Sequence, residues 1–140
     1  MDKIQWTKDY ETGIDRIDFQ HRSLVNILND LISVPNLEAS QRHLVLDVTM
    51  DALLKYTVYH FESEEKFMKD ANYPKIVEHI KEHEALKKTA IEFVSRFQKG
   101  ERDIEKQIIQ FLRNWLLNHI GKSDMDYVPY VMKIQDAQGF

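Results

Sequence analysis

Residues 60–83 read HFESEEKFMKDANYPKIVEHIKEH, and the fold follows from where the polar residues of this stretch fall. His60, Phe61, Glu64, Phe67 and Met68 recur at spacings of three and four, which is one face of a helix. Asp70-Ala71-Asn72-Tyr73-Pro74 breaks the pattern, and Ile76, His79, Ile80 and His83 resume it. Pro74 is tolerated at the start of a helix, where its missing N–H has no partner to lose. The stretch therefore predicts two helices joined by a short turn. Each carries imidazoles on the stripe that should face the core. His60 and Glu64 are four residues apart, as are His79 and His83, so each pair projects to the same side of its helix.

The same period extends in both directions. Upstream, Leu46, Leu53, Leu54 and Thr57 carry the helix back to about residue 41, with Ser40 as its expected N-cap. Downstream, Leu86, Ala90, Phe93, Val94 and Phe97 carry the next helix from about 75 to 98, and Gly100 is a natural stop. A first helix over 19–33 is marked by His21, Leu24, Val25, Leu28, Leu31 and Ile32, with Asp18 as its expected cap. A fourth, over 103–121, is marked by Ile104, Ile108, Phe111, Leu112, Trp115, Leu116 and His119. Four amphipathic helices with short connections predict an all-α, up-down-up-down four-helix bundle. Residues 1–18 read as an N-terminal arm whose Trp6 and Tyr10 pack on the bundle, and the tail to 140 holds Tyr127, Tyr130 and Val131 and closes one end.

The chain has 140 residues, a net charge of −4 and no cysteine. That length fits one domain. The absence of cysteine excludes disulfides, thiolate metal sites and thiol nucleophiles. The mild acidity gives no reason to expect nucleic acid. No segment approaches the ~20 apolar residues of a membrane span, and the start lacks the apolar run of a signal peptide. A cytoplasmic protein is the expectation.

Five of the six histidines, His21, His60, His79, His83 and His119, lie on inward stripes; only His43 does not. Glu64 and Asp124 join them. Asp124 is five residues after His119, so the helix must adjust its last turn to bring both to one side. A lone histidine on an apolar stripe is ordinarily a core residue bonded to a carbonyl. Here seven such residues would need separate partners, each unpaired group costing roughly 1–3 kcal/mol. Their sum would rival the ~5–15 kcal/mol net stability of a domain. One metal centre on the bundle axis satisfies all seven. The nitrogen-rich set argues against calcium and magnesium and suits iron, copper, nickel or zinc. Seven donors are too many for one ion. Two ions sharing both carboxylates, one with three histidines and one with two, have five and four protein donors. A bridging oxide or hydroxide raises these to six and five, leaving one ion with an open position for a small diatomic ligand.

The set His21, His60-x3-Glu64, His79-x3-His83 and His119-x4-Asp124 resembles the hemerythrin family in its single-domain bacterial form. The run Trp6, Tyr10, Gly13-Ile14, Ile17-Asp18 and Gln20-His21 is similar to that family as well, as are Tyr73-Pro74 and Trp115…His119-Ile120. The resemblance covers essentially all of 1–140. It implies a single hemerythrin-like domain with two iron ions, oxo- or hydroxo-bridged, that bind dioxygen. One iron would be held by His79, His83 and His119 and the other by His21 and His60, with Glu64 and Asp124 bridging and dioxygen at the two-histidine iron. Phe61, Trp115 and Leu116 match pocket residues of the family; Leu24, Leu28 and Ile80 could add to the wall, though each also has a simple packing role. No spare acid or base accompanies the seven on the inner stripes, so an oxygen carrier, store or deliverer is expected rather than an enzyme. Turnover of peroxide or nitric oxide, with Tyr127 or Glu65 assisting, and oxygen or iron sensing are the alternatives. An acceptor protein is not identified.

Overall fold

A computed structural model describes residues 2–137, with side chains as far as Ile134. Helix α1 spans Asp15–Ser33, α2 Ala39–Asp70, α3 Ile76–Gln98 and α4 Ile104–Asn118. A π-helical segment, His119–Ser123, joins α4 to α5, which runs Asp124–Ala137. Each of the first four helices packs on its neighbours in chain order, and α1 and α4 close the ring. This is the four-helix bundle the hydrophobic period predicts. No described helix is long and apolar enough to cross a membrane.

The core has two parts. The larger fills the bundle with Leu24, Leu28, Leu31, Leu46, Ile108 and Leu116 among others. The smaller, built on Ile14, Ile17, Met68, Tyr73, Tyr127 and Val131, seals the end where α2, α5 and the arm meet. The seven polar residues lie where these two apolar regions leave off.

Three local expectations are corrected. First, α1 begins at Asp15, not at 19, and its N-cap position is Ile14. Asp18 is inside the helix and buried. Its carboxylate accepts from the Thr12 N–H and Oγ1–H, both at 2.8 Å, and from the Gly13 N–H at 3.1 Å. It ties the arm to the bundle instead of capping the helix. Second, Glu38 rather than Ser40 occupies the N-cap of α2, without a side-chain capping bond. Third, the tail expected beyond the fourth helix is itself helical over Asp124–Ala137, and Pro129 lies within that helix, α5. Pro129 is exposed, while Tyr127 and Val131 on the opposite side are buried and hold the helix across it.

The arm packs as expected. Trp6 and Tyr10 lie against the larger core, the Arg22 guanidinium sits over the Trp6 ring at 5.4 Å, and Ile4 exchanges two hydrogen bonds with the Asn29 amide. Gly13 turns the arm with φ +83°, a left-handed conformation that glycine adopts without strain.

Candidate metal centre

The inward polar residues reach the bundle axis from every side: His21 from α1, His60 and Glu64 from α2, His79 and His83 from α3, His119 and Asp124 from the π segment and the residue after it. The π turn answers the five-residue spacing. The Asp124 N–H bonds to the His119 carbonyl, an i to i+5 link that gives the turn one extra residue. A regular α-helix would place residues five apart on different sides. The widened turn brings both to the axis, with His119 Nε2 2.8 Å from Asp124 Oδ1.

The seven residues form two groups that share both carboxylates. His79, His83, His119, Glu64 and Asp124 make one; His21, His60, Glu64 and Asp124 make the other. Each carboxylate divides its oxygens between them. Glu64 Oε2 lies 3.1 Å from His79 Nε2, 3.1 Å from His83 Nε2 and 3.3 Å from His119 Nε2. Its Oε1 lies 2.5 Å from His60 Nε2 and 3.5 Å from His21 Nε2. Asp124 Oδ1 faces His79 at 3.1 Å and His119 at 2.8 Å, and Oδ2 faces His21 at 2.7 Å and His60 at 3.5 Å. All seven residues are buried.

This packing is poorly explained by hydrogen bonds among the seven. Asp124 Oδ1 is buried without a hydrogen-bond partner, although two imidazole nitrogens are within 3.1 Å. Those nitrogens are close but not aimed at it. His21 and His60 bring their Nε2 atoms within 3.1 Å of each other, as do His83 and His119 at 3.2 Å. Nitrogens bound ~2.0–2.1 Å from one ion at right angles would stand roughly 3 Å apart. The donor set thus fits a pair of cations, one per group, each sharing the two carboxylates.

The electrostatics agree. Burial alone would lower the pKa of His21 and His79, but the carboxylates of Asp124 and Glu64 outweigh it and push both up to about 9. His60 and His119 are raised against burial by the same pair. Burial works to raise Glu64, yet the surrounding imidazoles, His60 foremost, hold it well below the usual carboxylate range. Asp124 is likewise lowered, against burial and the charge of Glu64, chiefly by His119. The pocket is built for positive charge, and protons and cations compete for it.

Apolar walls flank one side. Phe61 is fully buried and stacks on His83 with centroids 3.7 Å apart and planes 7° from parallel. Trp115 stacks on His119 at 4.4 Å and meets Phe61 edge-on at 5.5 Å. Leu116, Leu24 and Leu28 are buried in the same core, while Ile80 is only half-buried. His43 stays apart from the cluster and stacks on Phe97.

Spacing alone did not reveal the outward partners of the imidazoles. Gln20 Oε1 accepts from His60 Nδ1 at 2.7 Å, and Glu65 Oε2 from His83 Nδ1 at 3.2 Å. Glu82 Oε2 stands 3.4 Å from His119 Nδ1. Gln20 is three residues after Ile17 and so on the inward stripe, which is the signal that could have found it. Tyr127 is fully buried beside the cluster, its ring 5.6 Å from His79. Burial first, then the charges of Glu64 and Asp124, raises its pKa well above 10, so the phenol keeps its proton.

Known proteins resemble this chain along most of its length. Residues 12–131 match the model of the hemerythrin HHE cation binding domain. The bacteriohemerythrin of Stenotrophomonas maltophilia is 36% identical over 131 residues, 94% of this chain and 83% of that one. That of Methylococcus capsulatus is 31% identical over 92% of this chain and 97% of its own. Myohemerythrin of Theromyzon tessulatum is 26% identical, covering 88% and 89%. Among solved structures, wild-type hemerythrin superposes with a TM-score of 0.82 at 29% identity over 91% of this chain and 97% of that one. A leucine-to-alanine variant of hemerythrin gives 0.84 at the same identity, over 94% and 98%.

Proposed function

The chain belongs to the hemerythrin family, and we propose that it binds dioxygen reversibly at a non-haem di-iron centre, as a carrier, store or deliverer of oxygen. The observation that carries this reading is the division of both carboxylates between two histidine groups of unequal size. His79, His83 and His119 would hold one iron, His21 and His60 the other, and Glu64 and Asp124 both. Five protein donors on one side and four on the other leave the two-histidine side the more open. When bound, the iron pair supplies electrons that a diatomic ligand can accept and later return.

The protein's own residues decide that such binding stays reversible. Among the described residues, the buried Asp18, Thr57 and Gln20 outside the cluster are committed elsewhere. Asp18 is tied to Thr12 and Gly13, Thr57 to the Leu53 carbonyl at 2.6 Å, and Gln20 to His60. Tyr127 holds its proton. Apart from the Tyr127 hydroxyl, which is buried without a hydrogen-bond partner, none is a free acid or base of the kind that proton-coupled turnover requires. Phe61, Trp115 and Leu116 form an apolar wall that keeps water and protons from the imidazoles they cover. These three serve as pocket residues in this reading.

Anaerobic loading of the metal-free protein with ferrous iron, followed by air and then nitrogen, tests it. Two irons per chain and an absorption band that appears in air and fades under nitrogen are expected. Irreversible oxidation with no such band would sink the proposal.

A further inference from the structure

The imidazoles of the two groups are not supported alike on their outward sides. In the three-histidine group, His83 Nδ1 donates to the Glu65 carboxylate at 3.2 Å, and a second carboxylate, Glu82, stands 3.4 Å from His119 Nδ1 without a hydrogen bond to it. In the two-histidine group, His60 Nδ1 donates to a neutral amide, Gln20, at 2.7 Å, and His21 Nδ1 is buried with no partner. Anions therefore back one group only. A carboxylate accepting from the far nitrogen draws that proton toward itself, makes the near nitrogen a stronger donor and fixes the ring. An amide fixes the ring without adding charge. Glu65 is the more effective of the two acids, because its side chain is 27% exposed against 48% for Glu82.

We propose that Glu65, acting through His83 and assisted by Glu82, is a positioning residue that widens the affinity difference between the two cation subsites, so that the three-histidine subsite fills first and empties last. Gln20 keeps the other subsite the weaker and more exchangeable one. The inference rests on the two-cation reading above. It adds an order of assembly to it, and a way to change that order without touching any of the seven inward residues.

The test is a titration of the metal-free full chain with cobalt(II) under nitrogen, against a competing chelator, followed by the hyperfine-shifted proton resonances of the imidazoles. The wild type should bind two ions in two steps, the first shifting three rings and the second two more. E65Q should weaken the first step by about 10-fold or more, within the range for outer partners of metal-bound histidine, and leave the second within twofold. E65D, which keeps the charge, should recover part of the loss. Q20E should strengthen the second step and narrow the gap. The thermal midpoint of metal-free E65Q should match the wild type, which a purely structural role would not allow. If E65Q weakens both steps equally or neither, or if the first ion shifts only two rings, the inference is overturned while the di-iron reading stands. Uptake of fewer than two ions per wild-type chain overturns both.

Discussion

His83 sits at the meeting point of three kinds of contact. Its Nε2 faces Glu64 and His119, its Nδ1 donates to Glu65, and its ring lies flat under Phe61. Truncation to His83→Ala should therefore lower iron content below two per chain and reduce the thermal midpoint, since metal binding and folding are coupled. Unchanged iron stoichiometry would count against the assignment. Leu116→Tyr is the contrasting change. It enlarges a buried wall residue without removing a donor, at a packing cost of typically 1–3 kcal/mol. Iron should be retained and the decay rate of the oxygenated form altered, read by absorption over time; an identical rate would take Leu116 out of the pocket. At this scale the sequence was largely transparent. A histidine on an apolar stripe is conspicuous, and seven polar residues on such stripes have few joint explanations. Gln20 and Glu82 were obscure for the opposite reason. A glutamine beside a histidine, or a glutamate on a half-exposed helix face, is ordinary until the neighbouring helix is in place.

Among the elements, two glycines show how backbone conformation decides a substitution. Gly13 has φ +83°, and a Cβ there would come within 2.8 Å of the Met132 Cε. Gly13→Ala should destabilise the protein by about 1 kcal/mol or more, because the left-handed conformation strains any side chain. Gly121 lies in the π segment with an ordinary φ and open space where a Cβ would stand. Gly121→Ala should be stabilising by roughly 0.5–1 kcal/mol through loss of unfolded-state freedom. Urea midpoints of the two variants, moving in opposite directions, check both. The π segment itself was announced by a spacing that no α-helix satisfies. The start of α1 and the continuity of α5 were not legible, because Asp18 and Pro129 carry strong local signals that tertiary contacts override. Asp18 is claimed by the arm, and the burial of Tyr127 and Val131 carries the helix past a proline.

For the molecule as a whole, the cluster sets how stability depends on pH. In the cation-free chain His21 and His79 rise from an ordinary 6.5 to about 9. Their stabilising contribution is complete below pH 6.5 and is lost as pH climbs through 9. Glu64 and Asp124 titrate below their ordinary 4.5 and 3.8, so theirs is present above those values and lost as pH falls further. The cation-free protein should be most resistant to urea between the carboxylate range and pH 6.5, and weaken toward pH 9. Loading with metal, which requires neutral imidazoles, should release protons and abolish the alkaline decline. A metal-free urea midpoint that stays flat from pH 6 to 9 would contradict the burial of these imidazoles beside ionised carboxylates. Much of this was visible in the sequence, since the four stripes and their polar residues specify both the bundle and its axis. The unequal outward support of the two groups was not, because it depends on which helix faces which.

The widened turn between α4 and α5 carries one last implication. Among the described residues it is the one π-helical stretch, and the cluster depends on it, so the register of everything beyond it rests on five residues. Adding or removing one amino acid there would turn Asp124 off the axis and rotate Tyr127 and Val131 out of the end seal together. Length variation in this short stretch should be tolerated far less than in the surface connection at Lys99–Asp103, where nothing downstream must keep count.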